Sequence, residues 1–428
     1  VSALTAAWAV VVCLISITLF SIAAATFWWQ IHAWMTPDAY EQTGYPDARH
    51  HLPRSSFSLI VPCRNEPERV VRATVDRLLA QEHPDFEIIV SVGHDDLPTL
   101  AIARQLAAEN PGKVSVSVNS DLVKNKPRQL NTALATCTKD VVGIVDAESM
   151  TSPGLLQHVD MVFHREAADV VQGSVHLVNY RATWFSLRNC LEYRVWFRSR
   201  LHAHAATGFI PLGGNTVFVS RAVLQDVEVN GWDGNCLAED CDLGVRLSTQ
   251  GRKIVVAYDA ELTTQEEAPE LLSVLVRQRT RWALGYMQVL AKGDWRRLPT
   301  FQLRAGAFWT LVQQHAMAFA GLALPLAVLT ALLVDLPLPL VFVSFLPLVP
   351  TVITVVFDVL ILHEFGRHMH FPIRFVDYLR LVLSTPFYQL LLAVASCRAA
   401  WKYFSGDFRW EKTGHTGAHL TPVAGGAQ

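Results

Sequence analysis

Apolar and polar positions divide this 428-residue chain into zones of different character. No Asp, Glu, Lys or Arg occurs from Val1 to Pro37, from Ala305 to Val334, or from Leu336 to Phe357. A fourth uncharged run, Leu381–Cys397, is shorter and is broken by Pro386. A helix of about 20 apolar residues crosses the hydrocarbon layer, so the first three runs are long enough and the fourth is borderline. The pattern predicts an integral membrane protein with an N-terminal span in residues 1–37 and C-terminal transmembrane or interfacial helices in residues 305–401. A globular domain over residues 50–290, an interfacial helix over 291–304 and a cytosolic tail over 402–428 fill the remainder.

Inside the globular zone the periodicity switches repeatedly between strand and helix. Phe57–Val61 reads as a buried strand, with Asn65 as the cap of a helix that carries Pro67 in its first turn. Val71, Val75, Leu78 and Leu79 then share one helical face. Glu87–Val92 is the next strand, Leu97–Glu109 a helix, residues 113–118 a strand, 128–136 a short helix and 140–146 a strand ending on a carboxylate. Such alternation predicts an α/β fold with a mostly parallel sheet, whose ligands sit beyond the carboxyl ends of the strands. Asp95, Asp96 and Asp146 all fall at such ends.

Composition narrows the choice. The chain is 51% hydrophobic and only 17% charged, which the apolar runs explain, and its net charge of −2, with no extended basic run, gives no support to a nucleic-acid partner, so none is expected. Its seven cysteines form no CxxC pair and read as reduced, small apolar residues suited to a cytosolic domain. The first apolar run lacks a basic n-region and exceeds an ordinary signal-peptide core. No Lys or Arg precedes Arg49, whereas Arg49, Arg54 and Arg64 follow, so the positive-inside bias places the N-terminus outside and the globular domain in the cytoplasm of a multi-pass membrane protein.

Several polar clusters carry candidate chemistry. "VDAES" puts Asp146 and Glu148 at a strand end, where two carboxylates suit a hard divalent cation on a diphosphate; a surface turn is the plainer alternative. "CLAEDCDLGVRL" sets Glu239 and Asp240 at a helix start, where acidic residues favour the helix dipole and where Asp240 also suits a general base. "PLGGNTVF" is a Gly-rich turn that either brings backbone amides to a ligand or simply reverses the chain. "KNKPRQLN" supplies Lys124, Lys126 and Arg128. "LVRQRTRWALG" places Arg277, Arg279, Arg281 and Trp282 just ahead of an apolar run, as an interfacial helix would.

Taken in order, "PCRNE", the acids after the second strand, "KPRQLN", "DAE", "GGNT", "AED" and "QRTRW" resemble the motif series of family 2 glycosyltransferases. The likeness runs from about Phe57 to Trp282 and is greatest to the membrane-bound branch of cellulose, chitin and hyaluronan synthases. It implies a GT-A-type, Rossmann-like mixed sheet and an inverting transfer from a UDP-sugar, UDP-glucose or UDP-N-acetylglucosamine, to a polysaccharide or lipid acceptor.

By position, the resemblance makes Asp240 the catalytic base with Glu239 beside it, and Asp146 and Glu148 the D-x-D pair that holds Mg²⁺ or Mn²⁺, with Glu in the place of the second Asp. Arg64, Glu66, Asp95 or Asp96, Lys126, Asp146, Gln278 and Arg281 match nucleotide-sugar contacts. Gly213, Gly214, Asn215 and Trp282 match the acceptor side, and Trp410, Thr413 and His415 a tail that closes over the nucleotide. Arg277, Trp295, Arg296 and Arg297 remain as lipid-headgroup contacts. A cytosolic tail conflicts with four spans, so Leu381–Cys397 is expected in the interface. The alternative to a polymer synthase is single transfer to a lipid; a modest number of spans calls for a homo-oligomer to complete a secretion channel. A transporter with a nucleotide-sensing domain would need intramembrane charge, for which only Asp335 and Asp358 are available.

Overall fold

The computed structural model of the chain describes residues 3–36, 51–333, 338–411, 417 and 420. Helix α1 (Ala3–Met35) is apolar along its length. Strand β1 (Phe57–Cys63) follows, and its period of two sends Phe57, Leu59, Val61 and Cys63 into the hydrophobic cluster on one face of a sheet and Ile60 into that on the other. The alternation continues with α2 (Glu68–Leu79), β2 (Phe86–Gly93), α3 (Leu97–Glu109), β3 (Val114–Asn119), α4 (Lys126–Leu134) and β4 (Val141–Ile144). After α5 (Leu155–Glu166), β5 (Val170–Gln172) and β6 (Val175–Leu177), one helical stretch joins α6 (Ser186–Val195), a π-helical turn (Trp196–Arg200) and α7 (Leu201–Thr207). Then come β7 (Val217–Ser220), α8 (Arg221–Leu224), α9 (Glu239–Thr249), β8 (Ile254–Val256), β9 (Thr264–Glu266) and α10 (Leu272–Lys292). The C-terminal part comprises α11 (Phe301–Leu333), α12 (Leu338–Phe345), α13 (Leu348–His368) and α14 (Phe375–Phe404).

Seven strands form a mixed sheet in the order β3-β2-β1-β4-β7-β5-β8, and β6 and β9 form a separate parallel pair. The pairs β3–β2, β2–β1, β1–β4 and β5–β8 are parallel, while β7 runs antiparallel to both β4 and β5. The carboxyl ends of β1, β2 and β4 and the start of β7 therefore share one edge of the sheet. Helices α2, α3 and α5 cover one face through Val71, Val75, Leu100, Leu106 and Val159; α4, α7 and α9 cover the other through Leu130, Leu201, Leu243 and Leu247.

Local differences from the sequence reading have physical causes. Asn65 does not cap α2: its φ is +49° and its N–H donates to Asp96 Oδ2 at 2.5 Å, while Pro67 is the N-cap, accepting the first helical N–H groups on its carbonyl. Residues 291–304 are not one interfacial helix. α10 ends at Gly293, whose φ of +81° a residue with Cβ rarely adopts, a 3₁₀ turn spans Asp294–Arg297, and α11 has begun by Phe301. Pro386 does not break the fourth apolar run, which lies within a continuous 30-residue α14.

Three helical stretches among the described residues are long and apolar enough to cross a membrane: Ala6–Met35, Leu338–His368 and Phe375–Phe404. α14 is two-faced. Leu381, Ser384, Tyr388, Ala395 and Ala399 are buried, and its contacts run along α10 and α11. Leu383, Phe387, Leu390, Val394 and Trp401 are exposed on the other side. α6 and the π-helical turn meet the apolar helices through polar pairs: Asp358 of α13 is bound by Arg188 of α6, with Gln30 of α1 donating to it at 2.6 Å, and Glu364 of α13 is bound by Arg198 of the π-helical turn. Asp358 is thus closed off by partners from two other helices; Asp335 lies outside the described residues.

α10 can approach the start of α9 only because residue 285 is glycine. A Cβ there would come within 2.5 Å of the Ala238 backbone nitrogen and methyl group. Gly285→Ala is expected to cost about 1–3 kcal/mol through overpacking despite the better helix propensity of alanine, whereas Gly306→Ala, with open space around it, is expected to be neutral or mildly stabilising. Thermal unfolding of the two variants in detergent checks this; an equal Tm for both would contradict the packing.

Candidate active site

The shared sheet edge gathers the charged residues. Beyond β1, Arg64 donates from both terminal nitrogens to Asp95, which follows β2, at 3.2 and 3.0 Å. That guanidinium holds the Asp95 carboxyl well below the usual carboxylate range. Asp96 is the buried N-cap of α3, accepting from Thr99 N–H, so of the two acids only Asp95 is open to a ligand. Glu66 is buried beside it, its N–H 3.3 Å from Thr99 Oγ1. Lys124, in the loop before α4, lies 3.4 Å from Asp95.

Beyond β4, Asp146, Glu148 and Glu266 bring carboxylate oxygens within 4.8 Å of one another. Glu266 ends β9 and arrives through the antiparallel bridge between Gln265 and Met150. Asn215 organises the cluster: its Oδ1 accepts from Asp146 N–H at 3.1 Å, and its Nδ2 donates to Ser149 Oγ at 2.8 Å and to Glu266 Oε1. An all-oxygen set of this kind fits a hard divalent cation. Sequence reasoning missed Glu266 because topology, not spacing, brings it here. It also put Asn215 on the acceptor side, whereas its side chain is buried among these acids.

Lys126 bridges this cluster to the second acidic pair. Its ammonium ion-pairs with Asp146 and donates to the Gly214 carbonyl at 2.7 Å. Burial works against the ammonium, yet Asp146, Glu239 and Asp240 together hold its pKa above the ordinary lysine value. Glu239 and Asp240 open α9, directly after the Ala238 N-cap. A Cβ on Gly214 would lie 2.8 Å from Asp240 Oδ2 and 3.5 Å from Lys126 Nζ, so this backbone approaches the carboxylate as only glycine permits. Gly213 is held back by its N–H bond to Gln172 Oε1 at 2.9 Å.

Burial pushes the Glu239 carboxyl up to about 7, reinforced by the charge of Asp240 and opposed by Lys126 and Arg281. Asp240 is raised as well, again by burial, with Lys126 and Arg281 opposing. Both carboxyls of this coupled pair are thus held above the ordinary carboxylate range.

α10 supplies the remaining face. Gln278 is buried, and its Oε1 has no hydrogen-bond partner among the described residues. Arg281, one turn on, carries the positive field felt by Glu239 and Asp240, and its guanidinium lies 4.5 Å from the Trp410 ring. Trp282 is half-buried and lies against Tyr193, with ring centroids 6.1 Å apart. Trp410 also packs with Leu237, Leu284 and Ala399, and Glu411 is tied to Arg398 and Lys402. The segment after α14 therefore lies on the site, where residues 405–410 and 123–125 line a cavity of about 620 Å³. Thr413 and His415 fall outside the described residues.

Comparison with known proteins agrees with this geometry. Residues 53–285, more than half of the chain, match the family described as "Glycosyltransferase like family 2". The probable glycosyltransferase YdaM of Bacillus subtilis (strain 168) is 24% identical over 298 residues, covering 64% of this chain and 67% of that protein. Beta-monoglucosyldiacylglycerol synthase of Synechocystis sp. is 26% identical over 247 residues, 57% of this chain and 50% of that one. Poly-beta-1,6-N-acetyl-D-glucosamine synthase of Staphylococcus epidermidis is 23% identical over 256 residues, 59% and 60% of the two chains. The chain thus spans about half to two thirds of the length of these relatives. The fold is shared with the mannosyltransferase PcManGT from Pyrobaculum calidifontis, solved with GDP-mannose and Mn²⁺, at a TM-score of 0.55 and 17% identity over 91% of this chain and 99% of that one. The chain belongs to glycosyltransferase family 2, and its mixed sheet with the acidic edge is the GT-A-type domain of a transferase.

Proposed function

We propose that this transferase is an inverting enzyme, embedded in the cell membrane, that extends a β-linked polysaccharide from UDP-glucose or UDP-N-acetylglucosamine. The observation that carries the reading is the meeting of two acidic centres across Lys126, with Arg281 held against the second of them on the helix that packs on Ala238. Arg64, Asp95 and Lys124 form the end of the edge that takes the nucleotide. Asp146, Glu148 and Glu266 are the residues that would hold Mg²⁺ or Mn²⁺, and the cation, when bound, neutralises diphosphate charge.

Asp240 takes the proton of the acceptor hydroxyl as its oxygen forms a bond to the anomeric carbon. The bond from that carbon to the diphosphate oxygen breaks, and UDP leaves with the electron pair. Lys126 and Arg281 face the negative charge that grows on the leaving group, which is where fixed positive charge lowers the barrier most. Trp282 offers the acceptor sugar an aromatic face.

The catalytic domain takes the cytoplasmic side in this reading, and α14 lies along the interface with Leu383, Phe387, Leu390 and Val394 toward lipid. That placement leaves the segment around Trp410 on the same side as the site it touches. A transporter reading loses support from the pairing of Asp358 with Arg188 and Gln30. Single transfer to a lipid stays as a second reading, favoured by the exposed apolar face of α14 beside the helix that carries Trp282 and by the similarity to a beta-monoglucosyldiacylglycerol synthase.

Asp240→Asn is expected to lower transfer by about 10²–10⁴-fold while leaving UDP affinity within a few-fold, since the amide keeps the shape but cannot accept the proton. UDP release and calorimetric UDP binding measure the two; undiminished turnover would remove Asp240 as the base. The raised pKa values of Glu239 and Asp240 place the acid limb of kcat/KM above the ordinary carboxylate range, with activity lost as pH falls through it. Because Lys126 lowers both, Lys126→Met is expected to move that limb upward by roughly one unit. A limb that stays in place would contradict the electrostatic link.

A further inference from the structure

The roles so far given to "RQRTRW" leave Arg279 without one. Unlike Arg281, it turns away from the acidic centre and is half-buried against α6 and α14. Its Nη2 lies 2.6 Å from Asn189 Oδ1, 2.7 Å from Glu192 Oε2 and 2.9 Å from the hydroxyl of Tyr388. Tyr388, fully buried on α14, donates to Glu192 in turn at 2.8 Å. The guanidinium carbon sits 4.7 Å from the centroid of the Trp282 ring, within cation–π range. A salt bridge that only joined helices would not require an indole beside it. Tyr193, next to Glu192, bears on the same indole.

We propose that Arg279 is a positioning residue for the acceptor: clamped by α6 and α14, it fixes the plane of the Trp282 indole. The inference rests on the reading of Trp282 as the acceptor platform. It deepens that reading, because the hydroxyl of Tyr388 makes the set of the platform depend on where α14 lies. A lysine keeps the charge at 279 but lacks the planar fork that reaches several acceptors while lying beside the ring.

The test uses the full chain in nanodiscs, with UDP-glucose or UDP-N-acetylglucosamine as donor and cellotetraose or chitotetraose as acceptor probe. For Arg279→Lys the acceptor KM is expected to rise about tenfold, from loss of the cation–π contact and its geometry, with donor KM within about twofold. The ratio of transfer to donor hydrolysis falls with it. Tyr388→Phe is expected to shift the same quantities in the same direction by less, and it decides the matter if Arg279→Lys does not fold. Trp282→Ala, run in parallel, separates the failures. If it raises the acceptor KM and neither other variant does, the positioning role is overturned while the platform stands. If Trp282→Ala leaves the acceptor KM unchanged, the platform falls and this inference falls with it. An equal loss of transfer and donor hydrolysis in Arg279→Lys, with a lowered Tm, would make Arg279 a structural ion pair and overturn the proposal.

Discussion

The structure turns on a concentration of negative charge. The sheet edge collects Asp146, Glu148 and Glu266 on one side and Glu239 and Asp240 on the other, most of them out of contact with solvent. Uncompensated charge in such a place is costly, so the fold must supply compensation or keep a proton. Lys126 stands between the two groups and satisfies parts of both; Arg281 acts on the second; and the Glu239 carboxyl holds its proton to about 7. The first group retains oxygen donors arranged for a cation. In the proposed mechanism each means of neutralising the site is also a means of binding or activating an anionic donor and a hydroxyl acceptor.

Helix α10 is the second organising element. Its close packing at Gly285 places Arg281 on the acidic pair, while Arg279, on another face of the same helix, ties Trp282 to α6 and α14. The helix therefore joins the chemistry to the apolar helices. The polar pairs of α6 with Asp358 and of the π-helical turn with Glu364 make a second connection, so the sheet edge has a fixed orientation relative to α1 and α13. A transferase whose acceptor is lipid-borne or leaves through the bilayer needs such an orientation.

Much of this was legible in the residues. The uncharged runs, the strand–helix alternation and the acids at strand ends follow from periodicity and hydropathy, and the order of the short motifs carries the family resemblance. What was not legible depends on tertiary contact. Glu266 lies in a segment with no chemical signature and reaches Asp146 only through the Met150–Gln265 bridge. Asp95 and Asp96 are equivalent in sequence; backbone geometry makes one a helix cap and leaves the other to Arg64. Asn65 has the composition of a cap but sits in a left-handed conformation, with its N–H committed to Asp96. Pro386 reads as a break, yet α14 continues through it while its buried face packs along α10. Arg279 and Arg281 differ by two positions on one helix, and only the neighbours on each face separate them: Glu192 and Tyr388 for the first, Trp410 and the acidic pair for the second.

The most direct measurement is the size and solubility of the product made by the purified chain in nanodiscs from a panel of labelled UDP-glucose, UDP-N-acetylglucosamine and GDP-mannose with Mg²⁺ or Mn²⁺. The account predicts a polar product of high molecular weight from one UDP-sugar. A small, organic-extractable product formed only when diacylglycerol or another lipid is added would contradict it, and would make Trp282 the platform for a single acceptor.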